Sequence, residues 1–202
     1  AASDVYKRQA AFAGYAEGKI TGCVNKASIV FEGSDASNVS VRAAGIAAVA
    51  DNAAITGCTN DGTLTCGRIE NTGNGTNSGF HQGGICAFVS GTAALTDCTN
   101  NGGISAPSGR GGGIAGVMNG GTMTRCTNNG TVQDDVEGLF GANPSYKRMG
   151  GLAGGAAASA TLESCVNAGN VFSQLGCRTG GFVGHNEATI TACENKGIIL
   201  SD

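Results

Sequence analysis

Six cysteines recur in one short phrase, and thiols at a repeated spacing invite three chemistries: nucleophilic attack, metal ligation and disulfide formation. The phrase reads "KITGCVNKASI", "AITGCTNDGTL", "ALTDCTNNGGI", "TMTRCTNNGTV", "TLESCVNAGNV" and "TITACENKGII", around Cys23, Cys58, Cys98, Cys126, Cys165 and Cys193. Zinc sites need paired ligands such as Cys-x-x-Cys, and the chain has no such pair. A nucleophilic thiol needs a base beside it, and the two histidines, His81 and His185, follow no catalytic signature. If the copies stack in register, neighbouring thiols lie one strand spacing apart. That permits a disulfide by distance, but side chains pointing the same way suit its dihedral poorly. The bland alternative is an interior ladder of small thiols, since free cysteine is among the most buried residue types. Cys86 aligns with Ala47, Ala115, Ala153 and Val183 and reads as core; Cys66 and Cys177 fall in variable connectors and are the better disulfide candidates.

Two residues after each of these cysteines stands an asparagine: Asn25, Asn60, Asn100, Asn128, Asn167 and Asn195. Buried amides must be satisfied, and stacked asparagines in a β-array can bond to the copies above and below. Thr21, Thr56, Thr96, Thr124 and Thr191 form another rank, broken by Glu163. A flat threonine rank could meet ice or a crystalline glycan, but threonine is also simply a good strand residue, and Asp97 and Arg125 roughen the neighbouring position. The densest charge cluster lies in "QDDVEGLFGANPSYKRM" (133–149): Asp134, Asp135, Glu137, Tyr146, Lys147 and Arg148. These six are the candidate binding residues, because loops on a rigid scaffold carry function. A solvated loop is the plainer reading. A polysaccharide lyase would converge acids, a base and Lys/Arg in a groove, and three carboxylates could hold calcium. The repeat lacks the aspartate of the calcium-binding nonapeptide, so neither metal nor cofactor is expected.

The elements that position these residues follow from the repeat itself. A glycine-rich phrase precedes each cysteine phrase: "AFAG" (11–14), "GIAA" (45–48), "GICA" (84–87), "GIAG" (113–116), "GLAG" (151–154) and "GFVG" (181–184). From the apolar residue of one phrase to that of the other is always 8–10 residues, whereas from each cysteine to the next glycine phrase is anywhere from 16 to 27. One fixed and one free connector is how a solenoid behaves, with insertions hanging from one edge. No run shows helical periodicity; short segments rich in Thr, Ile and Val with Gly and Asn punctuation read as strands and turns. Within each cysteine phrase, Cys, Asn, Gly and the closing apolar residue alternate as one face of a strand would. The expectation is an all-β, right-handed parallel β-solenoid of about six coils, with variable loops on one edge. Such a rod is roughly 25–30 Å long at ~4.8 Å per coil.

The paired phrases, above all "GGLAGG" (150–155), "GGFVGHN" (180–186) and "GGIAGVMNGGTMTRCTNNGTV" (112–132), resemble the GLUG-motif repeats of bacterial surface and secreted proteins. The likeness spans nearly all of residues 11–200 and departs at Ala47-Ala48 and Cys86-Ala87, where the second glycine is missing. It implies an exported, extracellular or cell-surface protein with an adhesive role, and supplies no catalytic residues.

Residues 1–9, "AASDVYKRQ", read as the translation of a transposase-type sequencing adapter. That makes 10–202 a single solenoid domain, cut at both ends, whose open edges should self-associate. Setting them aside removes Asp4, Lys7 and Arg8 and moves the formal charge from −3 to −4. Mild acidity argues against nucleic acid, which asks for a basic face, and low charge with 41% hydrophobic residues argues against disorder. There is no membrane-length apolar run. The expected function is a non-enzymatic structural or adhesive module that binds a glycan or cell-surface protein through its loop edge. The alternative is a carbohydrate-active β-helix enzyme using the 133–149 loop.

Overall fold

The structure, a computed structural model, describes residues 5–31, 39–66, 80–107, 109–134, 147–173 and 177–201. These form short strands without a helix, so no helix among them is long and apolar enough to cross a membrane. The strands build five sheets, and every pairing in them is parallel. The chain visits the five sheets in turn and then begins again, completing six coils over 5–31, 39–66, 80–105, 110–133, 148–173 and 178–201. This is the parallel β-solenoid the repeat predicts.

Three of the four connectors within a coil are nearly invariant. Two residues always link the first sheet to the second (45–46, 84–85, 113–114, 151–152, 181–182), and two link the third to the fourth. Three residues link the fourth to the fifth, as at 61–63 and 129–131. The second sheet leads to the third in two or three residues, and only the passage from the fifth sheet back to the first varies widely: 32–38, 67–79, 106–109, 134–147 and 174–177. All insertions therefore emerge from one edge.

The cysteine phrase is not a single strand. In the fourth coil, Gly121–Thr124 belongs to the third sheet, Thr127–Asn128 to the fourth and Val132–Gln133 to the fifth. Cys126 stands at a corner between two of them. The corner residue just before each cysteine has left-handed backbone: Gly22, Gly57, Asp97, Arg125, Ser164 and Ala192, with φ between 51° and 64°. That turn redirects the chain, so the cysteine and asparagine point inward from successive faces. Two of the corners are met without strain by glycine; the other four cost about 1–2 kcal/mol each.

Two apolar cores run the length of the rod. One joins the second, third and fourth sheets through Ile46, Ile85, Ile114, Leu152, Ile55, Leu95, Met123, Leu162 and the inner cysteines. The other lies between the fifth and first sheets and holds Leu64, Ile104, Val132, Val171, Val41 and Met149. The chain passes from one core to the other at Gly45 and again at Asn60, and there the two passages touch. A Cβ on Gly45 would stand 2.3 Å from the Asn60 amide oxygen, and Gly84, Gly113 and Gly151 meet Asn100, Asn128 and Asn167 in the same way. The first coil has Ala11 at that position, and its second-sheet segment is reduced to two isolated bridges, Ala13 to Ala47 and Ala16 to Ala50. Residues 5–10 lie in register on the first sheet, Val5–Ala10 against Val39–Ala44; such backbone pairing accepts any side chains.

Candidate functional site

The repeated polar residues are turned inward. Asn60, Asn100, Asn128 and Asn167 are fully buried. Each amide Nδ2 donates to the Oδ1 of the next coil's asparagine, from Asn25 to Asn60 (2.7 Å), Asn100 (2.7 Å), Asn128 (2.8 Å), Asn167 (2.9 Å) and Asn195 (2.8 Å). It also donates to the glycine carbonyl two residues on, as Asn128 does to Gly130 at 2.8 Å. Each cysteine Sγ lies against the carbonyl two residues back, 3.3 Å for Cys98 and Thr96 and 3.2 Å for Cys165 and Glu163. Cys58, Cys98, Cys126 and Cys165 are fully buried, whereas Cys23 and Cys193, in the end coils, are half-buried. Contact with the Cys165 sulfur, then with that of Cys98, and burial push the Cys126 thiol well above its ordinary value. All nine thiols are free.

Cys66 is not in a connector: it closes the strand Leu64–Cys66 and faces the second core. Burial pushes its thiol up to about 12, that of Cys86 to about 12 and that of Cys177 to about 11. Thiols so raised are poor nucleophiles at neutral pH. The threonine rank faces outward on the third sheet, with Glu163 in register between Thr124 and Thr191. Arg125 reaches across to Asp97 in a two-point ion pair of 2.7 and 2.8 Å on this exposed side.

The charged loop is only partly within the described residues; Asp135, Glu137 and Tyr146 lie outside them. Asp134 is buried beside Lys147, whose Nζ is 3.6 Å from its carboxylate. Cys177 is close enough for both charges to act on its thiol. Arg148 does not join this pair. It opens the strand Arg148–Gly150, in which Met149 faces the second core, and so projects from the sheet's other side. No cluster of metal-ligating side chains occurs among the described residues.

On that other side Arg148 has company in every coil. The first sheet sets Arg8, Arg42, His81, Arg110, Arg148 and Arg178 in register, each directly opposite the next. Five of the chain's seven arginines stand on this one rank. A second rank, from the second sheet, runs beneath: Tyr15, Val49, Phe88, Val117, Gly155 and His185. The two ranks touch. The Arg42 guanidinium lies 4.1 Å over the Phe88 ring, and that of Arg8 4.9 Å over Tyr15. His81 stacks on Phe88 with centroids 5.4 Å apart. At Gly155, which has no side chain, the Cδ carbons of Arg110 and Arg148 come within 3.8 Å of where a Cβ would stand. The result is a strip of arginines, interrupted by the buried His81, over an apolar and aromatic floor, parallel to the rod axis.

The charges on the strip feel one another. Burial and then Arg148 lower the affinity of Arg110 for its proton; burial and then Arg178 lower that of Arg148. The His185 imidazole is held below its ordinary value by burial, then by Arg148 and Arg178, with Glu187 acting the other way. The Nε–H of Arg148 is buried without a hydrogen-bond partner among the described residues.

Sequence reasoning placed Arg148 in a loop and missed the strip. The signal was present: each cation stands four residues before the apolar residue of the glycine phrase, and each floor residue three after it, as in Arg42, Ile46 and Val49 or Arg178, Phe182 and His185. No family model, curated protein or solved structure matches the chain.

Proposed function

We propose that the chain is a non-enzymatic binding module, a rigid repeat scaffold of an exported bacterial surface protein that adheres to a glycan or a cell-surface protein. The observation that carries this reading is the cationic strip. A binding surface that repeats once per coil, in step with the backbone, suits a partner that is itself extended. The strip lies on the first sheet, the one that each variable connector leads into. The resemblance to GLUG-motif repeats points the same way, toward export and adhesion.

Glycan arrays and whole bacterial or host cells, probed with the fluorescently labelled 202-residue chain, test this. Saturable binding to a defined glycan or to cells is the expected result, and binding to neither sinks the reading. Release of oligosaccharides from a polysaccharide by the intact chain, lost on Asp134→Ala and Lys147→Ala, would instead establish the enzyme alternative.

A further inference from the structure

We infer that the strip is a subsite for a linear acidic polysaccharide, lying along the rod axis with about one carboxylate or sulfate facing each coil. This rests on the binding reading above and names the ligand class.

Three features of the groove converge on that chemistry. The first is linearity and step. Five arginines, with the buried His81 standing between Arg42 and Arg110, follow the strand spacing of ~4.8 Å along the stack. An extended uronic-acid chain carries one carboxylate per ring and advances by a similar amount for each ring. Arginine presents a planar fork that fits a carboxylate or sulfate with two parallel hydrogen bonds. In B-DNA each strand carries a phosphate every ~3.4 Å of axis, out of step with the coils.

The second feature is the floor. Tyr15 is exposed and Phe88 and His185 are half-buried, with Arg8 over the first and Arg42 over the second, whereas Val49 and Val117 are buried and only back the strip. Pyranose rings expose flat C–H faces that pack on such surfaces, and an apolar floor also strengthens the ion pairs above it by excluding water.

The third is the far margin. Two residues beyond each floor residue, on the same side of the strand, stand Glu17, Asp51, Ser90, Asn119, Ala157 and Glu187. Asp51 and Ser90 are in register, and the backbone N–H groups of Asn119 and Glu187 bond to Val89 and Ala156 of the neighbouring coil. Asp51 already accepts hydrogen bonds from the Tyr15 hydroxyl (2.9 Å) and the Ser90 hydroxyl (3.0 Å). The hydrogen-bond acceptors on this margin suit sugar hydroxyls. Cations on one side and acceptors on the other match a ring that bears an acid on one edge and hydroxyls on the other.

Like charges directly opposite one another on neighbouring strands destabilise a sheet. An anion lying across Arg110, Arg148 and Arg178 relieves that repulsion, so the ligand should stabilise the fold as it binds.

Isothermal titration of the full chain tests the inference, with polygalacturonate as the acidic chain, dextran as the neutral one and a poly-dT oligonucleotide as the competing polyanion. Polygalacturonate should bind, weaken steeply with added NaCl, and raise the Tm of the wild-type chain, while dextran does none of these. Arg110→Gln and Arg148→Gln should each weaken binding about tenfold, the size of one lost charge-assisted hydrogen bond. Arg125→Gln, on a different face, should leave it unchanged. Equal losses for Arg125→Gln and Arg148→Gln would overturn the assignment, as would poly-dT binding as tightly with the same dependence on the strip. If the arginine variants fail to fold, the wild-type Tm shifts decide alone: an equal shift with dextran overturns it. A neutral glycan held in a manner indifferent to these arginines sinks this inference and leaves the adhesive reading standing; no glycan or cell bound at all sinks both.

Discussion

Asn128 uses the whole capacity of its amide. Nδ2 donates to Gly130 and Asn167, and Oδ1 accepts from Asn100 and from the Gly130 N–H. Truncation to alanine strands an amide hydrogen on Asn100, an oxygen on Asn167 and the Gly130 backbone, all in a dry interior. At about 1–3 kcal/mol for each orphaned buried group, Asn128→Ala should cost about 3 kcal/mol or more, whereas Asn195→Ala, exposed in the last coil, should cost about 1 kcal/mol. Urea denaturation followed by circular dichroism checks this, and equal midpoint shifts for the two variants would show that the ladder is not what the asparagines are for. His185 makes a second prediction. Its folded-state pKa is depressed by burial, Arg148 and Arg178, with Glu187 opposing and Arg110 adding slightly. Stability from this group is therefore present above the unfolded pKa and lost as pH falls below about 6.5. A bound acidic chain screens the arginines and lifts the imidazole pKa, so binding takes up a proton and should tighten between pH 7.5 and 5.5. His185→Gln should flatten that dependence, and an unaltered pH profile would remove His185 from the site. The asparagines were legible because the same type recurs at one offset. The rank of arginines was not: its neighbours on the N-terminal side differ from coil to coil, histidine replaces arginine once, and only the glycine phrase marks the register.

At the scale of the turn, the glycines that follow the asparagines show why the phrase is so uniform. A Cβ on Gly130 would stand 2.0 Å from the carbonyl oxygen of Gly102 in the preceding coil, and Gly62, Gly102, Gly169 and Gly197 meet the same obstacle one coil earlier each. The turns stack backbone on backbone, and a methyl group has nowhere to go. Ala27 occupies the equivalent place in the first described coil, where no stacked turn lies beneath it among the described residues. Gly130→Ala should therefore lower stability by about 3 kcal/mol, the upper range for overpacking. Ala27→Gly should change it by less than about 1 kcal/mol. Thermal melts of the two variants decide: a Gly130→Ala chain as stable as wild type would mean the coils can part at this turn. The alternation Cys, Asn, Gly, Val misled in one respect. It suggested a straight strand, whereas left-handed corners at Arg125 and its equivalents fold those positions onto three sheets. An arginine with φ 51° carries no signature of that backbone, and only the two glycines at this corner, Gly22 and Gly57, hint at it.

Across the whole molecule the order of the coils was legible, because insertions fall at a single connector and leave the core spacing untouched. The stack also decides how the chain meets copies of itself. Each inner coil satisfies its backbone groups with the coil on either side, and the last described coil can do so on one side only. That coil exposes Ile199 at 42%, against values near zero for Val171 and Val132 in register beneath it, and Leu200 and Ile198 beside it are exposed at 53% and 63%. In the first coil the outward-facing Val24 and Val30 are exposed at 47% and 56%. Unpaired parallel strands with apolar side chains form a template for further pairing. Because the two faces differ, the contact is head to tail and does not close on itself, so growth rather than dimerisation follows. The 202-residue chain should sediment as a ladder of species whose mean size rises with concentration. Leu200→Lys, which sets a charge on that edge, should shift the population to the monomer without lowering the Tm of the inner coils. A wild-type chain that stays monomeric at high micromolar concentration would show that the end coils are closed by means other than stacking.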